Sequence, residues 1–219
     1  MIRFDIITLF PELFDKHLSN LPFKRAIQAN KIEVNLINLR DFAIDKRGTV
    51  DDKPYGGGTG MLLRVEPIFD ALESIAKTNP QDRAKPRVIS TTPTGKKWNQ
   101  KLAQDFKNTN HIVIICGRYE GMDARVEEHL VTDKISVGDY ILSGGELPAL
   151  VIMESIVRLI PGVLEKETAL AEESFNDNSL EYPQYTRPEE YKGWKVPQTL
   201  LSGNHEEIRR WRQQRKIKP

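Results

Sequence analysis

The first 140 residues alternate between short apolar runs and longer stretches of mixed periodicity. Five runs rich in β-branched residues predict strands at Ile2–Thr8, Ile32–Ile37, Arg87–Thr91, His111–Cys116 and Lys134–Val137. Between them, apolar positions recur at helical spacing over Glu66–Lys77, with Pro67 in the first turn, and over the shorter Lys97–Phe106 and Asp123–Leu130. A further helix follows the GGELP turn: Leu150, Met153, Val157 and Ile160 share one face, and Pro161-Gly162 stops it. Alternation of this kind predicts an α/β fold with a mainly parallel sheet.

Two regions break the pattern. Residues 40–60 (RDFAIDKRGTVDDKPYGGGTG) read as a long polar, glycine-rich loop, a length usually kept for function. Residues 162–187 are polar and weakly periodic, as a linker would be. The segment SGNHEEIRRWRQQRKIKP then reads as one basic helix carrying six of the 32 lysines and arginines. The expected organisation is a main domain over 1–161, a linker over 162–187 and a small helical domain over 188–219. No internal repeat or low-complexity tract interrupts this plan.

Composition narrows the choices a little. A net charge of +1 argues against a globally basic nucleic-acid binder but leaves room for local patches. A lone cysteine, Cys116, excludes an internal disulfide and suits a reducing, cytoplasmic compartment. The four histidines show no metal-ligand spacing. MIRFDIITLF is too short and too charged for a signal peptide, and LPALVIMESIVRLIPGVL carries Glu154 and Arg158, so no membrane association is expected.

Three glycine turns compete for a ligand: PYGGGTGM (54–61), CGRYEGMD (116–123) and SVGDYILSGGELPA (136–149). None ends in the Gly-Lys-Ser/Thr of a phosphate loop, and none is a GxGxxG. The second and third follow predicted strands, where open α/β sheets bind ligands. They bear Glu120, Asp123, Asp139 and Glu146 and no lysine, a set that repels a polyphosphate. A ligand that is neutral or cationic at its reacting centre, such as the sulfonium S-adenosylmethionine, suits them better. Taken one at a time, these glycines read more simply as residues that only turn the chain.

The blocks TVDDKPYGGGTGM, CGRYEGMDAR, SVGDYILSGGELPA, RLIPGVL, YTRPEEYKG and LSGNHEEIRRWR, in this order, closely resemble the bacterial tRNA (guanine-N1)-methyltransferases of the TrmD type. The likeness runs from Ile7 to about Arg212. It implies a SPOUT fold, an α/β domain with a deep trefoil knot toward its carboxyl end, and a homodimer with composite active sites. It also implies methyl transfer from S-adenosylmethionine to N1 of the guanosine 3′ to a tRNA anticodon, with magnesium as a further requirement. Matching the motifs, the cofactor would meet Thr92 and Pro93; Gly117, Tyr119, Glu120 and Gly121; and Val137, Gly138, Asp139, Tyr140, Ile141, Leu142, Gly144, Gly145 and Pro148. The loops Ser90–Gly95, Cys116–Gly121 and Ser136–Pro148 would form the knot. Asp51, Asp52, Arg209, Arg210 and Arg212 would face the RNA.

The chemistry needs a base for the N1 proton and a cation near O6. The resemblance assigns these to Glu173 of AEESF and Arg158 of VRLIPGV, with Asp177 in reserve. The family usually has aspartate before Ser-Phe, so Glu173 sets its carboxylate one methylene further out. Each residue has a plainer reading. Arg158 could pair with Glu154 one helical turn away, Glu173 could be a solvated linker acid, and Trp211 could pack inward on a solvated helix. Lys53 stands where the family has arginine, Thr91-Thr92 where it often has Leu-Ser, and the family continues into a fuller C-terminal domain than this one. A knotted protein that binds cofactor or RNA without turnover is the alternative expectation. A nucleotide hydrolase built on PYGGGTG lacks the lysine it would need.

Overall fold

The computed structural model describes residues 1–78, 85–164, 174–175 and 179–217. Two compact units divide the chain, Met1–Leu164 and Glu165–Pro219.

The first unit is built on five strands: β1 (Ile2–Thr8), β2 (Ile32–Asn38), β5 (Arg87–Lys97), β6 (His111–Ile115) and β7 (Asp133–Ser136). Their order is β2-β1-β6-β5-β7, and every neighbouring pair is parallel. Parallel sheets need cover on both faces, and successive residues of each strand serve opposite sides. Phe4, Ile6, Ile112 and Ile114 point into one core with Phe14, Phe23, Ile152 and Ile156. Ile7, Val113 and Ile115 point into the other with Ile68, Ala71, Ile75 and Val126. The helices over these cores are α1 (Glu12–Leu18), α2 (Phe23–Gln28), α3 (Val65–Thr78), α4 (Gln100–Phe106), α5 (Ala124–His129) and α6 (Glu146–Val157). Val163 is also buried in the first core, and its carbonyl accepts from Arg25 Nη1 at 3.1 Å.

All five predicted strands form, and three differences from expectation have local causes. Strand β5 continues to Lys97, so the helix expected from there begins only at Gln100. Asn99 caps it, its side chain accepting from the Leu102 amide at 3.0 Å. The pairing of β5 with β7 slips between Thr91 and Lys96, throwing residues 92–95 out as a bulge. Residues 40–60 are not a bare loop either. A 3-10 turn (Leu39–Phe42) opens the segment, and β3 (Asp51–Asp52) pairs antiparallel with β4 (Leu62–Leu63).

Opposite the strand ends that carry the glycine turns, Asp5 is fully buried beside His111. Burial opposes its ionisation. Hydrogen bonds from His111 (2.7 Å), Asn35 (2.8 Å) and Arg3 (3.1 Å) outweigh that and hold the carboxyl below its ordinary range.

In the second unit, β8 (Glu190–Tyr191) and β9 (Trp194–Lys195) form a hairpin, followed by α7 (Gln198–Leu201) and α8 (His205–Arg215). Asn204 caps α8 by accepting from the Glu206 and Glu207 amides. Trp211 meets Tyr185 edge-on at 6.3 Å, and Arg212 lies over the Tyr182 ring at 5.0 Å.

Candidate functional site

Beyond the carboxyl ends of β6 and β7 lies a cavity of about 390 Å³. The β5 bulge closes one side, residues 117–122 a second, and residues 135–145 with the first turn of α6 a third. Every residue expected to touch the cofactor lines it except Asp139, whose carboxylate instead pairs with Lys97 on the outer surface. Tyr119 sits in the left-handed region at φ 60° and Gly121 at φ 124°. A non-glycine residue held there marks a loop over-determined by its surroundings.

The Gly-Gly turn has a structural cause in the chain's own packing. A Cβ on Gly145 would lie 2.2 Å from Thr91 Oγ1, 2.7 Å from Cys116 Cα and 2.8 Å from the Gly117 nitrogen. One on Gly144 would lie 2.3 Å from Arg118 Nε and 2.5 Å from Glu146 Oε2. Both glycines let three stretches of this chain close on one another. The Gly145 amide donates to the Gly117 carbonyl at 2.8 Å, and Arg118 and Gly144 form an isolated antiparallel bridge.

The acidic character of the site also changes. Glu146 is buried and bridged to Arg118, Asp123 caps α5 and pairs with Arg125, and Asp139 holds Lys97. Of the four acids named from the sequence, Glu120 alone lines the cavity with no ion-pair partner among the described residues. Another carboxylate does line it: Glu127, which accepts from Ser90 Oγ at 3.0 Å and lies 3.7 Å from Lys134 Nζ. Sequence reading missed Glu127 because it falls within a helix rather than a glycine turn. It passed over Arg118 although that residue stands inside CGRYEG. Thr91, Met122, Ile135, Ser136 and Ser143 complete the missed lining. Burial beside the Glu146 charge pushes the Cys116 thiol well up, so it behaves as inert core.

The segment PYGGGTGM lies against the same loop. Glu120 N donates to Met61 O (3.1 Å), Leu63 N to Gly121 O (3.0 Å) and Asp123 N to Leu63 O (2.9 Å). Asp52 at its base pairs with Arg64 at 2.7 Å. Arg158 is the C-cap of α6 and half-buried, while Glu154 is exposed. Glu173 and Asp177 lie outside the described residues. In the second unit, Arg209 is exposed, Arg210 pairs with Glu206 at 2.6 Å, and Arg212 is taken up by Tyr182.

Fold and cavity define a parallel-sheet α/β protein with a nucleoside-sized site past its strand ends. The family described as tRNA (Guanine-1)-methyltransferase TrmD matches residues 2–219. A tRNA (guanine-N(1)-)-methyltransferase of Staphylococcus carnosus (strain TM300) is 50% identical over 216 residues, 99% of this chain and 86% of its own. One from Listeria welshimeri is 46% identical over 217 residues, covering 99% of this chain and 88% of its own. The crystal structure of a tRNA (m1G37) methyltransferase from Aquifex aeolicus superposes with a TM-score of 0.80 at 43% identity, covering 96% of this chain and 87% of that one. The chain belongs to the tRNA (guanine-1)-methyltransferase family.

Proposed function

We propose that this protein is an enzyme that methylates N1 of the guanosine 3′ to the anticodon of tRNA, using S-adenosylmethionine. The observation that carries the reading is the cavity itself. Apolar side chains (Pro93, Met122, Ile135, Val137, Ile141, Leu142) and glycine backbone line it, with no lysine among the lining residues. That donor set suits an adenosine with a positive sulfur and not a polyphosphate. When bound, the cofactor supplies an electrophilic methyl on a sulfonium.

The chain's own residues have the remaining work. Guanine N1 carries a proton at neutral pH, so a carboxylate must take it as N1 bonds to the methyl carbon and the carbon–sulfur bond breaks. Glu173 is the proposed acceptor, with Asp177 in reserve. A guanidinium near O6 offsets the charge that moves onto the base, the role proposed for Arg158. Glu120 and Glu127, the carboxylates lining the cavity, are available to the cationic ligand. Asp51 and Asp52 of β3 are proposed to face the RNA, as are Arg209, Arg210 and Arg212, whose positive charges suit its phosphates. Magnesium would be a further requirement by family analogy. Among the described residues no cluster of three or more His, Cys, Asp or Glu could hold it, and no step is assigned to it.

A homodimer with composite sites is part of the same proposal. Leu147 and Val151 are 58% and 51% exposed, one turn apart on α6, and the stripe continues through Glu154 to Arg158. Apolar residues on an outer helix face favour cover by a second copy, which would bring Arg158 to the subunit boundary. The loops Ser90–Gly95, Cys116–Gly121 and Ser136–Pro148 are proposed to form the trefoil knot. Among the described residues no helix is long and apolar enough to cross a membrane. A tRNA substrate suits a cytoplasmic location, as does the lone thiol.

Label transfer from methyl-labelled S-adenosylmethionine to an unmodified tRNA transcript tests the reading. Label is expected on a transcript with guanosine after the anticodon and not on its adenosine counterpart. Cofactor binding without label on either transcript would leave a binding protein instead.

A further inference from the structure

Each of the three guanidinium nitrogens of Arg118 meets a partner inside the protein. Nε donates to Glu146 Oε1 at 3.1 Å, Nη2 meets Glu146 Oε2 at 3.0 Å, and Nη1 donates to the Ser143 carbonyl at 3.3 Å. Its guanidinium lies 4.4 Å from the Phe10 ring centroid. Glu146 is 2% exposed, and its Oε1 also accepts from Thr8 Oγ1 at 2.9 Å. The paired side chains fill the space that a Cβ on Gly144 would need. Three elements are therefore locked together: the end of β1, the 117–121 wall of the cavity and the turn into α6.

We propose that Arg118 and Glu146 are positioning residues, a clamp that fixes the distance between the two glycine-bearing walls of the cofactor cavity. The inference rests on reading that cavity as the S-adenosylmethionine site. A bidentate guanidinium–carboxylate pair is directional as well as strong, so it sets the walls' spacing rather than merely attracting them. Its Phe10 and Thr8 contacts tie that spacing to β1, which the hydrophobic cores hold on both faces. A lysine at 118 would keep the charge and lose the fork. The clamp therefore acts on the cofactor's seat and leaves the RNA surfaces alone.

The test measures binding of labelled S-adenosylmethionine by equilibrium dialysis, and KM for cofactor and for tRNA separately, on the full chain. Glu146→Gln keeps the side-chain shape and removes the charge that both Arg118 donors meet. Thr8→Val keeps the volume and removes the hydroxyl that donates to Glu146 and accepts from the Phe10 amide at 3.0 Å. Cofactor KM and Kd should rise about tenfold in Glu146→Gln and about two- to threefold in Thr8→Val. KM for tRNA should stay within about twofold in both, since neither variant changes a residue of the RNA surfaces. Asp5→Asn breaks a buried network elsewhere in the sheet, so it should lower the melting temperature and leave cofactor KM unchanged.

Parental cofactor affinity in both Glu146→Gln and Thr8→Val would overturn the clamp. So would a rise in cofactor KM in Asp5→Asn that matches its loss of melting temperature, because the effect would then be general destabilisation. Thr8→Val decides the question if Glu146→Gln does not fold. A parental chain that binds no S-adenosylmethionine would overturn the reading of the cavity, and the clamp's ligand with it.

Discussion

Gly145→Ala isolates close approach from backbone freedom. Gly145 has φ −84° and ψ −3°, which alanine adopts without strain, so any cost must come from contact. The new methyl would meet Thr91 Oγ1 at 2.2 Å, Cys116 Cα at 2.7 Å and the Gly117 nitrogen at 2.8 Å. Two of those atoms are backbone at the end of β6 and cannot rotate away. Relief means moving α6 off the strand end, which stretches the 2.8 Å hydrogen bond from Gly145 N to Gly117 O. Overpacking costs about 1–3 kcal/mol and the lost hydrogen bond about 1 kcal/mol, so about 2–4 kcal/mol in total. For a chain of this size that lowers Tm by about 5–15 °C. Gly117→Ala is the matched control. Its Cβ would meet only Met122 Cε at 3.5 Å and Thr91 O at 3.7 Å, ordinary contacts. That substitution should leave stability nearly unchanged or raise it by up to about 1 kcal/mol through the unfolded chain. Thermal melts followed by circular dichroism compare the two, with Thr91→Ala added to Gly145→Ala to recover the hydroxyl part of the loss. A Gly145→Ala melt equal to the parent's, or a Gly117→Ala melt lowered as much, would refute the reasoning.

Three further outcomes are expected. Asp5 has its folded pKa depressed, so its contribution is present above the unfolded value of about 3.9 and is lost as pH falls through the folded one. The stability gap between parent and Asp5→Asn in urea melts should thus be full near neutrality and narrow below about pH 4; a constant gap down to pH 3 would contradict this. Glu173→Gln should abolish methyl transfer while leaving cofactor affinity within about twofold, whereas near-normal turnover would remove the base from that position. Val151→Asp on the exposed stripe of α6 should shift sedimentation from dimer to monomer and depress turnover with it, and an unchanged dimer would move the interface elsewhere.

The sheet was legible because each strand is a short apolar run between polar segments, and burial on both faces leaves that run no other use. Helices α1 and α2 were not: ELFDKHL and FKRAIQ follow Pro11 and Pro22 with no side-chain cap, whereas the equally short α4 and α5 open on the capping residues Asn99 and Asp123. The glycine turns announced the cavity, and nearly every residue expected there lines it. What the turns could not disclose was the use of their charges. Arg118 and Glu146 stand 28 residues apart, each inside a recognisable motif, and only the fold brings them into one ion pair. Asp139 and Asp123 likewise meet Lys97 and Arg125 through local geometry that a list of acids does not contain. A carboxylate's duty depends on its nearest cation, and nearness in space is the property a linear reading lacks.

The strand order has a consequence for the order of events during synthesis. β1 precedes the strands on both sides of it, and one of its edges pairs with β2, complete by Asn38. Its other edge pairs residue for residue, Arg3 to Ile7, with His111 to Ile115. At roughly 5–20 residues per second, the interval between Asn38 and Ile115 lasts roughly 4–15 s. Throughout it, β1, which carries Phe4, Ile6 and Ile7, lacks the native partner of its second edge, and an unpaired edge can pair with another extended chain. The same non-local pairing slows folding of the finished chain. The internal position of β1 therefore leaves one of its edges without its native partner until β6 has been made.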